Sequence, residues 1–311
     1  MRSLQAPPWA LILAGGDGSR LRSLTSQISG DPRPKQFCPI VDGETLLDRT
    51  RRRVDLLTRA DQQVIVVSRP HEPYYRGLAL ELAPDRLVEQ PSNIGTGPGV
   101  LYPLLRIERL AGDPTVAIFP SDHYISDDAA FIEHVRTAQE LVEGRPAAVV
   151  LLGIEAHSPE TEYGWIERAP WPLDGEAGFP VLRFWEKPTL PLAERLLRVG
   201  ALWNSFVMVG RVHTFLGLIE SGVPELLTAF APVREAASRK EAEVVERVYA
   251  ATPAVNFSDR VLVPAARRLA TLRVKDVDWS DWGHPERVAA TIRRTGWRPS
   301  WLDRVELPAA G

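Results

Sequence analysis

Three glycines within four positions, Gly15, Gly16 and Gly18, follow the apolar run Leu11-Ile12-Leu13-Ala14 and lead directly into Ser19 and Arg20. In so glycine-rich a turn, successive backbone N–H groups converge on one place where a polyanion can sit, and a guanidinium beside them adds a positive fork. Gly15 to Ser19 therefore reads as a phosphate-approach loop. It is not a P-loop, since no Gly-Lys-Ser/Thr ending follows, and Leu21 stands where a dinucleotide fingerprint needs its third Gly or Ala. A plain strand-end turn would explain the glycines but not Arg20 with Lys35 following.

Carboxylates supply the complementary chemistry. Asp122 follows Pro120-Ser121 at the carboxyl end of a predicted strand, Val116 to Phe119, and Asp281 lies in a second acidic cluster after another, Ala270 to Val274. Ligands of open α/β sheets bind beyond such strand ends. Two Asp carboxylates plus phosphate oxygens suit Mg2+, which keeps few protein ligands, so Asp122 and Asp281 are the expected metal pair. His123, without a partner spaced for zinc, reads as structural or exposed. Lysine occurs only at 35, 187, 240 and 275 in a chain otherwise basic through arginine. Lys35 and Lys187 stand in polar motifs, where a compact ammonium does what a planar guanidinium cannot.

The elements that must position these groups follow from hydrophobic patterning. Continuous apolar runs at 11–14, Val64 to Val67, Val116 to Phe119 and Ala147 to Leu152 predict buried strands; helical periodicity covers Thr45 to Leu57, Val100 to Leu110 and Phe131 to Val142. Asp85 to Gln90 is a further strand, running into a loop, Gly95-Thr96-Gly97-Pro98-Gly99, fit to read a base. Arg20 to Pro34, polar with Gly30 and two prolines, reads as exposed loop. Later strands are shorter, at Gly164 to Glu167, Leu182 to Glu186 and Ser205 to Val209, with a Pro/Gly-rich connection from Ala169 to Pro180. Helices are expected at Phe215 to Ile219, Pro224 to Ala236 and Glu241 to Tyr249. The fold class is α/β, with a nucleotide-binding half over about 1–153, a smaller lobe over about 154–290, and a C-terminal tail, 291–311. Trp165, Trp185, Trp203, Trp279 and Trp282 stand in or beside polar motifs of the second half, where aromatic faces suit either a sugar or a core.

Composition narrows the partners. With 311 residues, 44% hydrophobic, 25% charged and a net charge of -3, the chain has a large core and no general attraction to nucleic acid or to an acidic membrane surface. No stretch is long enough to span a bilayer. A single cysteine, Cys38, permits no internal disulfide and is expected as a small buried residue; a cytoplasmic location follows. No Gly-x-Ser-x-Gly elbow is present, so covalent catalysis is disfavoured.

Taken in order, Leu13-Ala14-Gly15-Gly16-Asp17-Gly18-Ser19-Arg20-Leu21, Pro34-Lys35-Gln36-Phe37, Pro120-Ser121-Asp122-His123, Tyr163-Gly164-Trp165-Ile166-Glu167, Phe184-Trp185-Glu186-Lys187-Pro188, Trp203-Asn204-Ser205 and Trp279-Ser280-Asp281-Trp282-Gly283 resemble the ordered motifs of the sugar-phosphate nucleotidyltransferases, and among them the mannose-1-phosphate guanylyltransferases. The resemblance implies a GT-A-like, Rossmann-related mixed sheet flanked by helices, with a smaller sugar-binding lobe. It implies transfer of a nucleotidyl group from GTP to mannose 1-phosphate, giving GDP-mannose and pyrophosphate with Mg2+. Arg20 and Lys35 would then meet the triphosphate; Leu13, Ala14, Gly15, Gly16, Gly18, Ser19, Gln90 and Thr96 would surround the nucleotide. Lys187 would meet the sugar phosphate, and Gly164, Glu186 and Asn204 the sugar.

The chain departs from that pattern at Gly95-Thr96-Gly97-Pro98-Gly99, where guanylyltransferases usually carry Asn-Thr-Ala-Pro-Ala, and at Phe206, where the family has a small residue. Gln90-Pro91 is similar to the thymidylyl- and uridylyltransferase pattern. The same chemistry with another triphosphate or sugar 1-phosphate, and a non-catalytic nucleotide-sugar sensor, remain as alternatives. Expected partners are small molecules, with homo-oligomerisation open.

Overall fold

β1 (Trp9–Ala14) is apolar throughout, so both of its faces need cover, and it pairs in parallel with β2 (Gln63–Ser68) and, on its other side, with Thr115–Pro120. This is a computed structural model, which describes residues 6–173, 177–236 and 238–307. Residues 174–176 of the Pro/Gly-rich connection and 308–311 of the C-terminal tail lie outside the described residues. The remaining strands are β3 (Leu87–Gln90), β4 (Thr115–Pro120), β5 (Tyr124–Ile125), β6 (Val149–Glu155), β7 (Gly164–Arg168), β8 (Phe179–Glu186), β9 (Leu202–Arg211), β10 (Leu269–Val274) and β11 (Trp279–Ser280). Nine of them form one mixed sheet in the order β3-β2-β1-β4-β9-β6-β10-β8-β7, and β5 pairs with β11. Both halves of the chain thus share a continuous sheet, joined where β9 runs antiparallel to β4 and to β6.

Helices cover the two faces. On one lie α4 (Thr96–Ala111), α7 (Val212–Gly222), α8 (Pro224–Glu235) and α9 (Glu241–Ala251), with Leu104, Phe215, Phe230 and Tyr249 in a common core. On the other lie α2 (Leu46–Asp55), α3 (Glu72–Glu81), α5 (Asp128–Gly144) and α6 (Leu190–Arg198), with Val54, Tyr75, Phe131 and Leu196 in a second core. Among the described residues no helix is long and apolar enough to cross a membrane.

Two sequence expectations need correction. Arg20 to Pro34 is not a plain loop but carries a helix, α1 (Arg22–Ser29), because Leu21, Leu24 and Thr25 bury one side while the polar majority faces solvent; Gly30, at φ 80°, ends it. The Gly95–Gly99 loop is largely the first turn of α4, which begins at Thr96. Pro98 is tolerated there because the N–H it lacks would have no intrahelical partner.

A third core forms around the C-terminal segment. The Trp282 ring stacks between Tyr124 (5.0 Å) and Trp297 (6.0 Å), Trp297 Nε1 donates to Asp42 Oδ2 (2.8 Å), and buried Trp301 donates through Nε1 to the Ile40 carbonyl (2.8 Å). This strap packs on the segment that follows Lys35. Trp301→Ala leaves both a cavity and an unpaired carbonyl; the expected loss is about 3–5 kcal/mol of unfolding free energy, read by urea denaturation followed by circular dichroism.

Candidate active site

A glycine loop has no side chains with which to hold its own shape, and here the following motif holds it. Buried Gln36 donates through Nε2 to the carbonyls of Ala14 (3.0 Å) and Gly16 (2.7 Å). Gly18 takes φ 56°, and a Cβ there would stand 3.0 Å from the Lys35 backbone nitrogen, so this position needs glycine twice over. Ser121 Oγ and its backbone N–H both donate to the Leu13 carbonyl, at 2.7 and 3.1 Å, tying the end of β4 to the end of β1.

The charged groups converge beside this loop. Lys35, buried, donates through Nζ to the carbonyls of Asp281 and Trp282 (3.3 Å for the latter) and lies 3.2 Å from Asp122 Oδ2. Asp281 Oδ1 accepts from Tyr163 Oη (3.0 Å) and from the Gly283 N–H (2.9 Å), and Arg287 Nη1 reaches both carboxylate oxygens, at 2.8 and 2.9 Å. Burial pushes the Asp281 carboxyl up, but the charges of Lys35 and Arg287 outweigh it and hold the group below the ordinary carboxylate range. Asp281 is therefore an anion at neutral pH. His123, packed edge-on to Trp279 at 5.2 Å, is pushed down by burial and stays neutral, in keeping with a structural role. Exposed Arg20 pairs with Glu162 Oε2 (3.0 Å) and stands 3.0 Å from His284 Nε2.

Two cavities open on either side of Gly16. One, of ≈ 430 Å³, is lined by Gly15, Gln90, Gly95, Thr96, Val255 and Asn256 among others. The other, of ≈ 260 Å³, is lined by Asp122, Tyr163, Gly164, Glu186, Asn204 and Asp281, with Phe206 and Ser258. Leu13, Gly16 and Thr96 line both, so the two make one cleft across the carboxyl ends of β1 and β4.

In the smaller cavity, glycine at 164 admits Glu186, whose Oε2 would be 3.1 Å from a Cβ there. Burial pushes the Glu186 carboxyl up, against the opposing charge of Lys187. The Trp203-Asn204-Ser205 motif is a kink in β9: Asn204 Oδ1 accepts from the Phe206 N–H (3.1 Å), Ser205 Oγ accepts from the Val207 N–H (3.1 Å), and Phe206 takes φ 60°. The kink coincides with a register shift against β6. Lys187 is exposed, at φ 46°, with its backbone N–H on the Tyr163 carbonyl (3.2 Å); unlike Glu186 it is not part of the cavity wall.

Sequence reading named Arg20, Lys35, Asp122 and Asp281, which the structure gathers around this cleft, but missed Gln36, Tyr163, Arg287 and the segment 254–257. That segment has one polar side chain, Asn256, and meets the Gly95–Gly97 turn through backbone. The Gly97 N–H donates to the Val255 carbonyl (2.8 Å), the Val255 N–H to the Ile94 carbonyl (3.0 Å), and the Phe257 N–H to Thr96 Oγ1 (2.8 Å). Its closeness explains the glycines: a Cβ on Gly95 would stand 2.4 Å from the Val255 oxygen, and one on Gly97 would stand 2.7 Å from Val255 Cγ1.

A family model for nucleotidyl transferases matches residues 9–293. The chain belongs to the nucleotidyl transferase family. The chain is 29% identical over 282 residues to the xanthan biosynthesis protein XanB of Xanthomonas campestris pv. campestris (strain B100), covering 88% of this chain and 57% of that protein. It is 27% identical over 288 residues to a mannose-1-phosphate guanylyltransferase of Escherichia coli (strain K12), covering 90% of this chain and 58% of that one. The chain thus spans somewhat over half the length of these curated relatives. A crystal structure of mannose-1-phosphate geranyltransferase from Thermus thermophilus superposes with a TM-score of 0.78 at 30% identity, covering 91% of this chain and 79% of that one. UDP-glucose pyrophosphorylase complexed with UDP-glucose shares the fold, with a TM-score of 0.56 at 17% identity over 94% of this chain and all of the other.

Alanine at position 97 should be harmful in this chain. Gly97→Ala forces Val255 away, and the expected result is a loss of about 1–3 kcal/mol in stability by thermal or urea unfolding.

Proposed function

We propose that the chain transfers a nucleotidyl group from GTP to mannose 1-phosphate, releasing pyrophosphate and forming GDP-mannose. The observation that carries this reading is the cleft: two cavities meet at Gly16 of a phosphate-approach loop, with Asp122 and Asp281 lining the smaller one and Lys35 3.2 Å from Asp122. The larger cavity takes the nucleoside and the smaller one the sugar. The relatives' names support guanine and mannose.

The chemistry asks little of a proton acceptor. A sugar phosphate has its second pKa near about 6, so it reaches the site largely as a dianion and attacks the α-phosphorus without a general base. Its oxygen forms the new P–O bond as the bond to the β-phosphate breaks, and the electron pair leaves with pyrophosphate. What the reaction needs is alignment of two polyanions and relief of their charge. Arg20 and Lys35 meet the triphosphate and the departing pyrophosphate, and Glu186 and Asn204 take sugar hydroxyls; Lys187, exposed and outside the cavity wall, is assigned to the sugar phosphate on the motif resemblance alone.

Asp122 and Asp281 fit a hard divalent cation as the remaining partner. Both line one cavity, which His123, Glu162 and Glu186 also line, and among the described residues no group of three or more His, Cys, Asp or Glu is placed to hold a metal ion, so an ion at the two aspartates would take its other ligands from phosphate and water. Bound there, Mg2+ supplies positive charge to the reacting phosphates.

Pyrophosphate release with mannose 1-phosphate and each of GTP, ATP, UTP, CTP and dTTP tests the reading. Release with GTP is expected and should stop on chelation with EDTA; silence with every triphosphate and with other sugar phosphates moves the weight to a non-catalytic sensor. Lys35→Ala is expected to lower kcat/KM by about 10²–10³-fold. Lys187→Ala should mainly raise KM for the sugar phosphate, and unchanged kinetics for that substrate would sink its assignment.

A further inference from the structure

Gln90, at the carboxyl end of β3, is 3% exposed and closes the wall of the larger cavity. What it offers a ligand depends on which way round its amide stands, since the oxygen accepts and the nitrogen donates. The hydrogen-bond network fixes that choice. Tyr249 on α9 is buried between the rings of Tyr102 (6.3 Å) and Phe230 (5.5 Å), and its hydroxyl lies 3.0 Å from Gln90 Oε1. Among the described residues Gln90 is the only hydrogen-bond partner of that hydroxyl. Burial keeps the phenol protonated, so its proton has one place to go, and the atom that receives it must be the amide oxygen.

The nitrogen is then turned the other way. Gln90 Nε2 faces Gly15, where a Cβ would stand only 2.4 Å from it. It has no protein partner among the described residues, and it is not one of the polar atoms sealed from solvent without a partner. Its N–H bonds open onto the cavity.

We infer that Tyr249, by donating a hydrogen bond to Gln90 Oε1, locks Gln90 as a donor towards the base and so selects nucleoside triphosphates with an oxo group over those with an amino group at the edge it reads. Guanine O6 and the O4 of uracil and thymine accept a hydrogen bond, whereas adenine N6 and cytosine N4 donate. Against an amino group two donors face each other, and one is left buried and unpaired. Gln90 touches the base; Tyr249 is a positioning residue. The inference rests on the reading of the larger cavity as the nucleoside side of the cleft.

Inosine and adenosine triphosphates test the contact, because they differ only at C6 and N1 of the purine: an oxo group beside an N1–H in one, an amino group beside an unprotonated N1 in the other. Their dissociation constants are measured by calorimetry without sugar phosphate, so the result does not depend on turnover. The wild-type protein is expected to bind ITP at least about 10-fold more tightly than ATP, and Tyr249→Phe, which frees the amide to turn, to reduce that ratio to within about 2-fold. Gln90→Glu, which offers acceptors alone, should reverse the order. A wild-type protein indifferent to the two nucleotides overturns the inference. So does a Tyr249→Phe protein that loses affinity for both equally, which is what a merely structural role gives. If the Phe variant fails to fold by circular dichroism, the wild-type ratio and Gln90→Glu decide. Absence of pyrophosphate release with any substrate pair is a separate outcome, which overturns the proposed function and leaves the binding ratio to decide this one.

Discussion

The carbonyls of Ala14 and Gly16 both accept from one buried amide, Gln36 Nε2, and the groups proposed to handle phosphate are arranged around that bridge. Glycines let the backbone approach a polyanion closely but give it no preferred shape, so the loop's conformation has to be imposed from outside. Gln36 imposes it from the next motif, and because Lys35 is its neighbour, the same few residues set the loop and place the ammonium beside it. Freeing the Ala14 carbonyl, whose bond is buried, would cost more than the net worth of an ordinary hydrogen bond, which makes the bridge a point of rigidity rather than one contact among many.

Charge is balanced around this point before any ligand arrives. Lys35 stands against Asp122 and two carbonyls, and Asp281 against Arg287, Tyr163 and a backbone N–H. These pairs are substantially buried, so each member depends on its partner. Arg20 differs. Its pairing with Glu162 is exposed on both sides and is worth little, so a polyphosphate can take the guanidinium at small cost. The buried groups are built to stay in place, and the exposed one is free to be recruited.

Much of this was legible in the sequence, and the exceptions have physical reasons. Strands such as β1, β2 and β4 are continuous apolar runs whose identity does not depend on context, and Asp122 announces itself by standing at the end of one. The helix Arg22–Ser29 was hidden because only a few of its residues are buried, and polarity there looks like a loop. Arg287 carries no motif; its importance comes from where the helix Pro285–Thr295 lands, beside Asp281. The segment 254–257 acts through its own N–H and C=O groups, which every residue has, so no side-chain pattern could single it out. Gln90 was legible as a residue but not as an orientation, since that depends on Tyr249, which is distant in the chain and adjacent only after folding.

Lys35 is buried near the beginning of the chain, yet the carbonyls that receive its ammonium belong to Asp281 and Trp282, 246 and 247 residues further on. A contact of such long range closes late, because the entropy of joining distant segments is met only when most of the intervening structure is already in place. On the ribosome the glycine loop and its lysine emerge early and wait, and until Trp282 has been synthesised the lysine must remain hydrated or find a substitute. The contact therefore has to await the segment around Trp282, and a nascent chain that lacks it has other parts of the site without the site itself.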